Sequence, residues 1–308
     1  MKIDQFNFKS HDMINNIHGK IYIPQANIKG IIQIVHGMCE YSDRYDEFSK
    51  FLSLNGFIVI IQDNLGHGKS VNNPNDLGYY FNVDGSTDMI EDIYTAYSIV
   101  KAKFNNLPYF VIGHGMGSFL VRSYISYYVK DVTGAILIGT GAKTNLAIKT
   151  DLFFVKAIRL LRGPRYRSKF LNKMILGNLN KKIDTPSQFS WLSVNPENVA
   201  KYEKDPLCNF IFTTNGFITL LNSILRCEDI ATINNIPIKF PILLMSGQED
   251  PIGKYGKGVN KALKAYKDSG IIDVTLNLYE DDRHEILNEI DRAVIYTDIY
   301  NWIINHIE

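Results

Sequence analysis

An α/β fold, with a mostly parallel central sheet between helices and one inserted helical segment, is the fold class the sequence predicts. Three observations carry it. Short apolar runs alternate with helical patterns up to about residue 141, the alternation stops over 142–236, and it resumes from 237 to the end. The predicted organisation is therefore a core made of residues 1–141 and 237–308, with 142–236 as an inserted helical lid.

The elements follow in order. Residues 3–9 and 17–23 read as an antiparallel pair of strands. Residues 31–35 and 57–61 are apolar runs short enough for buried strands. Between them Asp43 is placed to cap a helix over about 44–55, and Gly56 to end it. Ser86 or Thr87 is placed to cap a helix running to about Phe104, with Asp88 in its first turn. Residues 109–112 form the next strand, which passes through glycines into a helix over 116–129, and residues 135–138 follow as another strand. The pairs Gly163-Pro164, Thr185-Pro186 and Asn195-Pro196 interrupt the inserted segment. Strands over 241–246 and 274–279, with helices near 258–268 and 291–306, complete the pattern. There is no internal repeat and no low-complexity segment.

Composition narrows the class. In 308 residues, 45% are hydrophobic and 21% charged, as in ordinary globular proteins, and a formal net charge of +1 leaves no general electrostatic drive toward nucleic acid. Cys39, Cys208 and Cys227 have neither metal-ligand nor disulfide-framework spacing. The polar opening MKIDQFNFKS lacks a signal peptide's apolar stretch, and no apolar run is long enough to span a bilayer. A cytoplasmic protein that meets membranes only at their surface is expected. No cofactor or metal is called for.

The chemistry-bearing residues lie where strands end. The run 109–112 leads into Gly113-His114-Gly115-Met116-Gly117 and then a helix, the strand–turn–helix context of a nucleophile elbow. A Cβ at Gly113 or Gly117 would strike neighbouring backbone in so tight a turn. The middle position should carry a serine; here it is Gly115. A glycine-rich phosphate loop is disfavoured, because neither G-x-G-x-x-G nor a following Lys-Ser/Thr is present. His36-Gly37-Met38 follows the strand at 31–35, and the turn there aims a backbone N–H at a substrate carbonyl oxygen. The residue after the elbow position supplies the second, so Met38 and Met116 are the expected donors. His36 itself reads as a buried structural histidine. Asp250 follows the strand at 241–246 and His284 the strand ending at Tyr279. The chain order elbow, acid, histidine is that of a Ser-His-Asp hydrolase on an α/β sheet.

With these residues in place, the chain resembles the bacterial monoacylglycerol lipases and lysophospholipases, grouped with the serine aminopeptidase-like α/β-hydrolases. The resemblance runs nearly end to end through VHGMCEYSDRYDEFSKFL, DNLGHGKS, VIGHGMGS, SGQEDPIGKYGKGV, LYEDDRHEILNE and the lid stretch FSWLSVNPENVAKYEKDPLCNFIFT. It implies an α/β-hydrolase fold, Asp250 as triad acid, His284 as base and Met38 and Met116 as oxyanion donors. The family pattern has serine where this chain has Gly115.

Glycine offers no nucleophile, so no acyl-enzyme can form. Loss of the serine costs roughly a millionfold in turnover, about 8 kcal/mol of barrier, so the chain is expected to be inactive or nearly so. Ser118, three residues on and within the helix, should face away from substrate. Cys39 should be a buried thiol. Gly115 is either an engineered replacement or a natural feature of a non-catalytic lipid- or ester-binding protein; the intact remainder of the site favours the former. An aminopeptidase-like hydrolase is a further reading, which needs carboxylates such as Glu197, Glu203 or Asp205 in the pocket.

The inserted segment is basic. Lys149, Lys156, Arg159, Arg162, Arg165, Arg167, Lys169, Lys173, Lys181 and Lys182 are interrupted only by Asp151. Phe154, Ile158 and Leu161 share one helix face. That face is expected to roof the pocket, and the basic side can meet an anionic membrane surface. A small-molecule acyl ester or lipid is the expected partner.

Overall fold

The computed structural model describes residues 1–25, 27–177, 179–183 and 187–307. Eight strands form one sheet: β1 Lys2–Lys9, β2 Asn16–Ile23, β3 Gly30–Val35, β4 Phe57–Gln62, β5 Tyr109–His114, β6 Gly134–Ile138, β7 Ile242–Gly247 and β8 Val274–Tyr279. Their order is β1-β2-β4-β3-β5-β6-β7-β8. β1 pairs antiparallel with β2 and β2 with β4; every other neighbouring pair is parallel. The expected antiparallel opening is present, and β2 also ties that hairpin to the parallel sheet.

The central strands are buried on both faces, which is why they read as continuous apolar runs. Their side chains alternate between two cores. Ile32, Ile34, Val59, Ile61, Phe110 and Ile112 pack on the face covered by α1 (Asp46–Leu54) and α10 (Arg292–Asn305). Ile31, Val35, Ile58, Ile60 and Val111 pack on the other, with α2 (Ser86–Lys103), α3 (Met116–Tyr128) and α9 (Lys257–Asp268). Each fully buried Ile or Phe contributes about 1.5–3 kcal/mol relative to exposure.

Two expected helix caps are not used. α1 starts after a short 3-10 turn, Ser42–Tyr45, and its N-cap Tyr45 makes no side-chain capping bond. Asp43 instead pairs with Lys20 across the surface. α2 follows Gly85, and neither Ser86 nor Thr87 caps it; the Asp84 carboxylate accepts the Ser86 N–H at 2.9 Å. In both places a nearby carboxylate finds a better partner than local pattern suggests.

Between β6 and β7 the described residues add no strand to the sheet and form α4 Asn145–Arg162, α5 Lys169–Leu176, α6 Pro196–Lys204, α7 Thr214–Glu228 and α8 Ile230–Asn234. Gly163, at φ +88°, ends α4, and Asn195 caps α6 with Pro196 at its first position. Thr185-Pro186 lies outside the described residues. α4 turns a different face inward from the one expected: Ile148, Leu152 and Val155 are buried, whereas Phe154 and Leu161 are exposed. Both triplets have helical spacing, and packing against α7 selects the first. No helix among the described residues is long and apolar enough to cross a membrane.

Candidate active site

β5 ends at His114, and the chain turns through Gly115 (φ +52°, ψ −118°) directly into α3. Only glycine fits the flanking positions. A Cβ on Gly113 would stand 2.6 Å from the Gly117 carbonyl oxygen, and one on Gly117 would stand 2.1 Å from that of Val35. The turn is fixed by bonds from Gly115 N–H to Ile138 O, and from Ser118 N–H and Oγ to Gly115 O. Ser118 is thus buried and occupied within the helix, facing away from the cavity.

The loop after β8 brings His284 to Gly115. A Cβ built on Gly115 would lie 3.1 Å from His284 Nε2 and 3.7 Å from Gly37 Cα. His284 Nδ1 is 3.0 Å from Asp250 Oδ2, and the fully buried Asp250 also accepts from Ile252 N–H at 2.8 Å and Ser246 Oγ at 3.4 Å. An imidazole with one nitrogen held by a buried carboxylate keeps its proton there and presents a lone pair at the other.

Met38 and Met116 lie beside Gly115 on the wall of one cavity. Neither backbone N–H has an acceptor among the described residues, so both are free to bind an oxygen. The cavity has a volume of about 670 Å³ and takes in Gly115 and His284, with Phe119, Ile175, Leu176, Trp191, Leu220 and Ile224 supplying apolar wall. Lys143, Lys169, Asn172 and Asn180 add polar groups. Phe154, Ile158 and Leu161 do not line it, which corrects the expectation that they roof the pocket. Ile175, Leu176, Trp191 and Phe210 do so from the inserted segment.

Two glycines that local sequence does not single out make room for the histidine. A Cβ on Gly139, at the end of β6, would stand 2.9 Å from His284 Cε1, and one on Gly247 would stand 2.1 Å from the Asp282 carbonyl. Beneath the site lies a buried charge network also missed from sequence. His114 Nδ1 is 2.9 Å from Glu40 Oε1, and His114 Nε2 is 3.2 Å from the His284 carbonyl oxygen. Tyr45 donates to Glu40 at 2.7 Å. Arg44 lies between Glu40 and Glu285, and Asn198 donates to Glu285 at 2.7 Å. The residue types at Glu40 and Arg44, four apart, and Glu285, beside His284, were the available signal.

Burial alone would push the Glu40 carboxyl up, but the His114 charge and hydrogen bond, with Arg44, outweigh it and hold it well below the ordinary range. Burial would push His114 down, but Glu40 outweighs that and raises it. A cationic His114 donates from both nitrogens, to Glu40 and to the His284 carbonyl. The Glu40 contribution to stability is present above its unfolded pKa near 4.5 and lost as pH falls through the depressed folded value. The His114 contribution is present below 6.5 and lost as pH rises through its raised folded value. Thermal unfolding followed from pH 5 to 9 should therefore show stability declining on the alkaline side. Glu40→Gln should flatten that decline and cost about 3–5 kcal/mol, because it leaves buried cations short of a partner. Equal pH profiles for the two proteins would contradict this account of the network.

The other singled-out residues are structural. His36 is fully buried, with Asn64 N–H 2.8 Å from its Nε2, as expected. The Cys39 thiol is buried and donates to Phe210 O at 3.0 Å, and burial pushes it up, away from reactivity. All three cysteines are free and buried.

Comparison with known proteins agrees with this architecture. Residues 26–291 match the family described as serine aminopeptidase, S33. A monoacylglycerol lipase of Mycolicibacterium smegmatis is 22% identical, the match covering 93% of this chain and 92% of that protein. The human monoglyceride lipase is 26% identical over 91% of this chain and 84% of its own. The crystal structure of a highly thermostable carboxyl esterase from Bacillus coagulans in complex with glycerol superposes with a TM-score of 0.92 at 28% identity, covering all of both chains. Sheet order, elbow, cavity and family match agree: the chain belongs to the serine aminopeptidase S33 family and is an α/β-hydrolase of the monoacylglycerol lipase and lysophospholipase kind.

Proposed function

We propose that the cavity is a binding site for acyl esters of lipids, a monoacylglycerol or a lysophospholipid, organised for serine-type hydrolysis but lacking the serine. The observation that carries the reading is the 3.1 Å between the Cβ position of Gly115 and His284 Nε2, with Asp250 on the other ring nitrogen. The ester carbonyl oxygen rests on the N–H groups of Met38 and Met116, and the acyl chain follows the apolar wall. With serine at position 115, His284 would take the hydroxyl proton as Oγ attacks and return it to the leaving alcohol, while Asp250 stabilises the imidazolium. With Gly115 no acyl-enzyme forms, and the chain turns over at most marginally by that route. Ester hydrolysis by Gly115→Ser, measured against the unaltered protein, tests the reading.

An acyl-lipid substrate is supported by the apolar wall and by the lipase names of the relatives. An amine-recognising peptidase site is disfavoured, because Glu197, Glu203 and Asp205 do not line the cavity, and Glu40 and Glu285 are already paired with His114 and Arg44. In this reading residues 142–236 act as a lid over a core of 1–141 and 237–308.

The lid is also the part that meets a membrane surface. Leu146, Phe153 and Leu160 recur every seven residues along α4 and are 78%, 68% and 85% exposed, next to exposed Leu161 and Phe170. Lys149, Lys156 and Arg162 flank them on the same helix. Not all the basic residues of the segment are free. Arg165 pairs with Asp76, Arg159 bonds Asn215, and Arg167 bonds the carbonyls of Leu77 and Ile211, so these tie the segment to its surroundings. Vesicle co-sedimentation should be stronger with anionic than with neutral lipid. Leu160→Asp should weaken it tenfold or more, since burying one such side chain is worth about 1.5–3 kcal/mol. Binding indifferent to both lipid charge and Leu160→Asp would contradict the membrane role.

A further inference from the structure

We propose that the chain with Gly115 is an acyl-transfer site for a small free hydroxyl compound, water or a methanol-sized alcohol, which occupies the space beside Gly115 and attacks the bound ester directly. The proposal rests on the ester-site reading above. Its starting point is what surrounds the missing side chain. Apart from the flanking residues His114 and Met116, the three atoms nearest the Cβ position are His284 Nε2 at 3.1 Å, His284 Cε1 at 3.6 Å and Gly37 Cα at 3.7 Å. Gly115 borders the same cavity as Met38, Met116 and His284, so the position of the absent side chain faces that space.

The base is poised toward that space. His284 Nδ1 is engaged by Asp250, so the neutral ring keeps its proton on Nδ1, and Nε2 has no hydrogen-bond partner among the described residues. A hydroxyl compound in the gap donates its hydrogen bond to Nε2. The balance of the step is complete without any further reagent. The alcohol oxygen forms a bond to the acyl carbon as its proton passes to Nε2, and the tetrahedral oxyanion rests on the N–H groups of Met38 and Met116. The bond to the leaving oxygen then breaks, and that oxygen takes the proton from Nε2. An ester and methanol give a methyl ester and the leaving alcohol; water gives the acid. No covalent intermediate with the protein is formed.

Glycine is required for this route, beyond the loss of serine. Alanine at 115 would offer no nucleophile either, but its methyl group would occupy the gap 3.1 Å from Nε2 and keep a free hydroxyl from the base. The gap is bounded by the imidazole and by Gly37, so acceptor alcohols should be ranked by size. A triad stripped of its nucleophile retains roughly 10³–10⁴-fold catalysis over water from its oxyanion site and binding. General-base assistance adds on the order of 10²-fold, which an activated ester makes measurable.

The experiment uses the full chain, treated first with a fluorophosphonate to silence contaminating serine hydrolases, with 4-nitrophenyl butyrate as acyl donor and methanol, ethanol or 2-propanol as acceptor. Release of 4-nitrophenol and formation of the alkyl butyrate are measured together. The expected result is methyl butyrate formation that falls roughly a hundredfold in His284→Ala, falls similarly in Gly115→Ala, and declines from methanol to 2-propanol. His284→Ala carries the test independently of how well Gly115→Ala folds. Methyl butyrate formation equal in the unaltered protein and His284→Ala would overturn the proposal. If that occurs while untreated Gly115→Ser hydrolyses the same ester, the external-nucleophile route fails and the ester-site reading stands. If folded Gly115→Ser is inactive as well, both fail.

Discussion

Gly115→Ser should raise ester hydrolysis by roughly 10⁴-fold in kcat, about 5–6 kcal/mol of barrier, the roughly millionfold worth of the serine set against the on-the-order-of-10²-fold assistance that His284 gives to free water. The size of the effect follows from what is already in place. The Cβ of the new residue falls 3.1 Å from His284 Nε2, so the ring must give by a few tenths of an ångström, after which a staggered hydroxyl lies within hydrogen-bond reach of the base. The Asp250 carboxylate already lies 3.0 Å from Nδ1, and the N–H groups of Met38 and Met116, proposed to hold the oxyanion, have no acceptor among the described residues. The same substitution should lower stability. Residue 115 sits at φ +52°, a backbone conformation that side chains other than hydrogen occupy at a cost of about 1–3 kcal/mol. Activity and thermal unfolding measured on the same two preparations should move in opposite directions, a gain in rate with a drop in melting temperature. A folded variant with no gain in activity toward either short esters or monoacylglycerols would remove the serine-type reading.

The second large effect belongs to Asp250. In the Gly115→Ser background, Asp250→Asn should cost about 10⁴-fold in kcat with little change in KM. The fully buried carboxylate accepts from His284 Nδ1 and from Ile252 N–H, so it requires the tautomer with the proton on Nδ1. An asparagine of the same shape can turn its NH₂ toward Nδ1, which moves the ring proton to Nε2 and removes the lone pair that must accept the hydroxyl proton. In the proposed site, substrate binding rests on the apolar wall and the two amides, which the substitution leaves untouched. Steady-state kinetics of the double variant separate the two parameters. A loss of less than tenfold, or one confined to KM, would show that Asp250 only supports the loop.

Much of this was legible in the residues, for a physical reason. A parallel strand buried on both faces is a short apolar run, and the proposed site residues stand in the turns that follow, so residues 31–35, 109–112 and 241–246 located Met38, Gly115 and Asp250 in one step. The features that escaped depend on partners distant in the chain. Asp43 had the composition of a helix cap, but Lys20 on a neighbouring strand takes its carboxylate. α4 carries two apolar stripes of equal periodicity, and only the position of α7 decides that Ile148, Leu152 and Val155 turn inward. Glu40, Arg44 and Glu285 carry no local signal of burial, and only the fold brings them together around His114. Gly139 and Gly247 belong to strand ends on either side of the histidine loop, and their need for glycine comes from that loop.

In the proposed reading residue 115 occupies the nucleophile position and His284 is its base. A fluorophosphonate reacts only with a hydroxyl activated in that way, and digestion followed by mass spectrometry locates the adduct. In Gly115→Ser the label should appear on residue 115 alone and disappear when His284→Ala is added, while the unaltered protein stays unlabelled. Labelling of Ser118 or another residue, or a folded Gly115→Ser protein that takes up no label, would contradict the account.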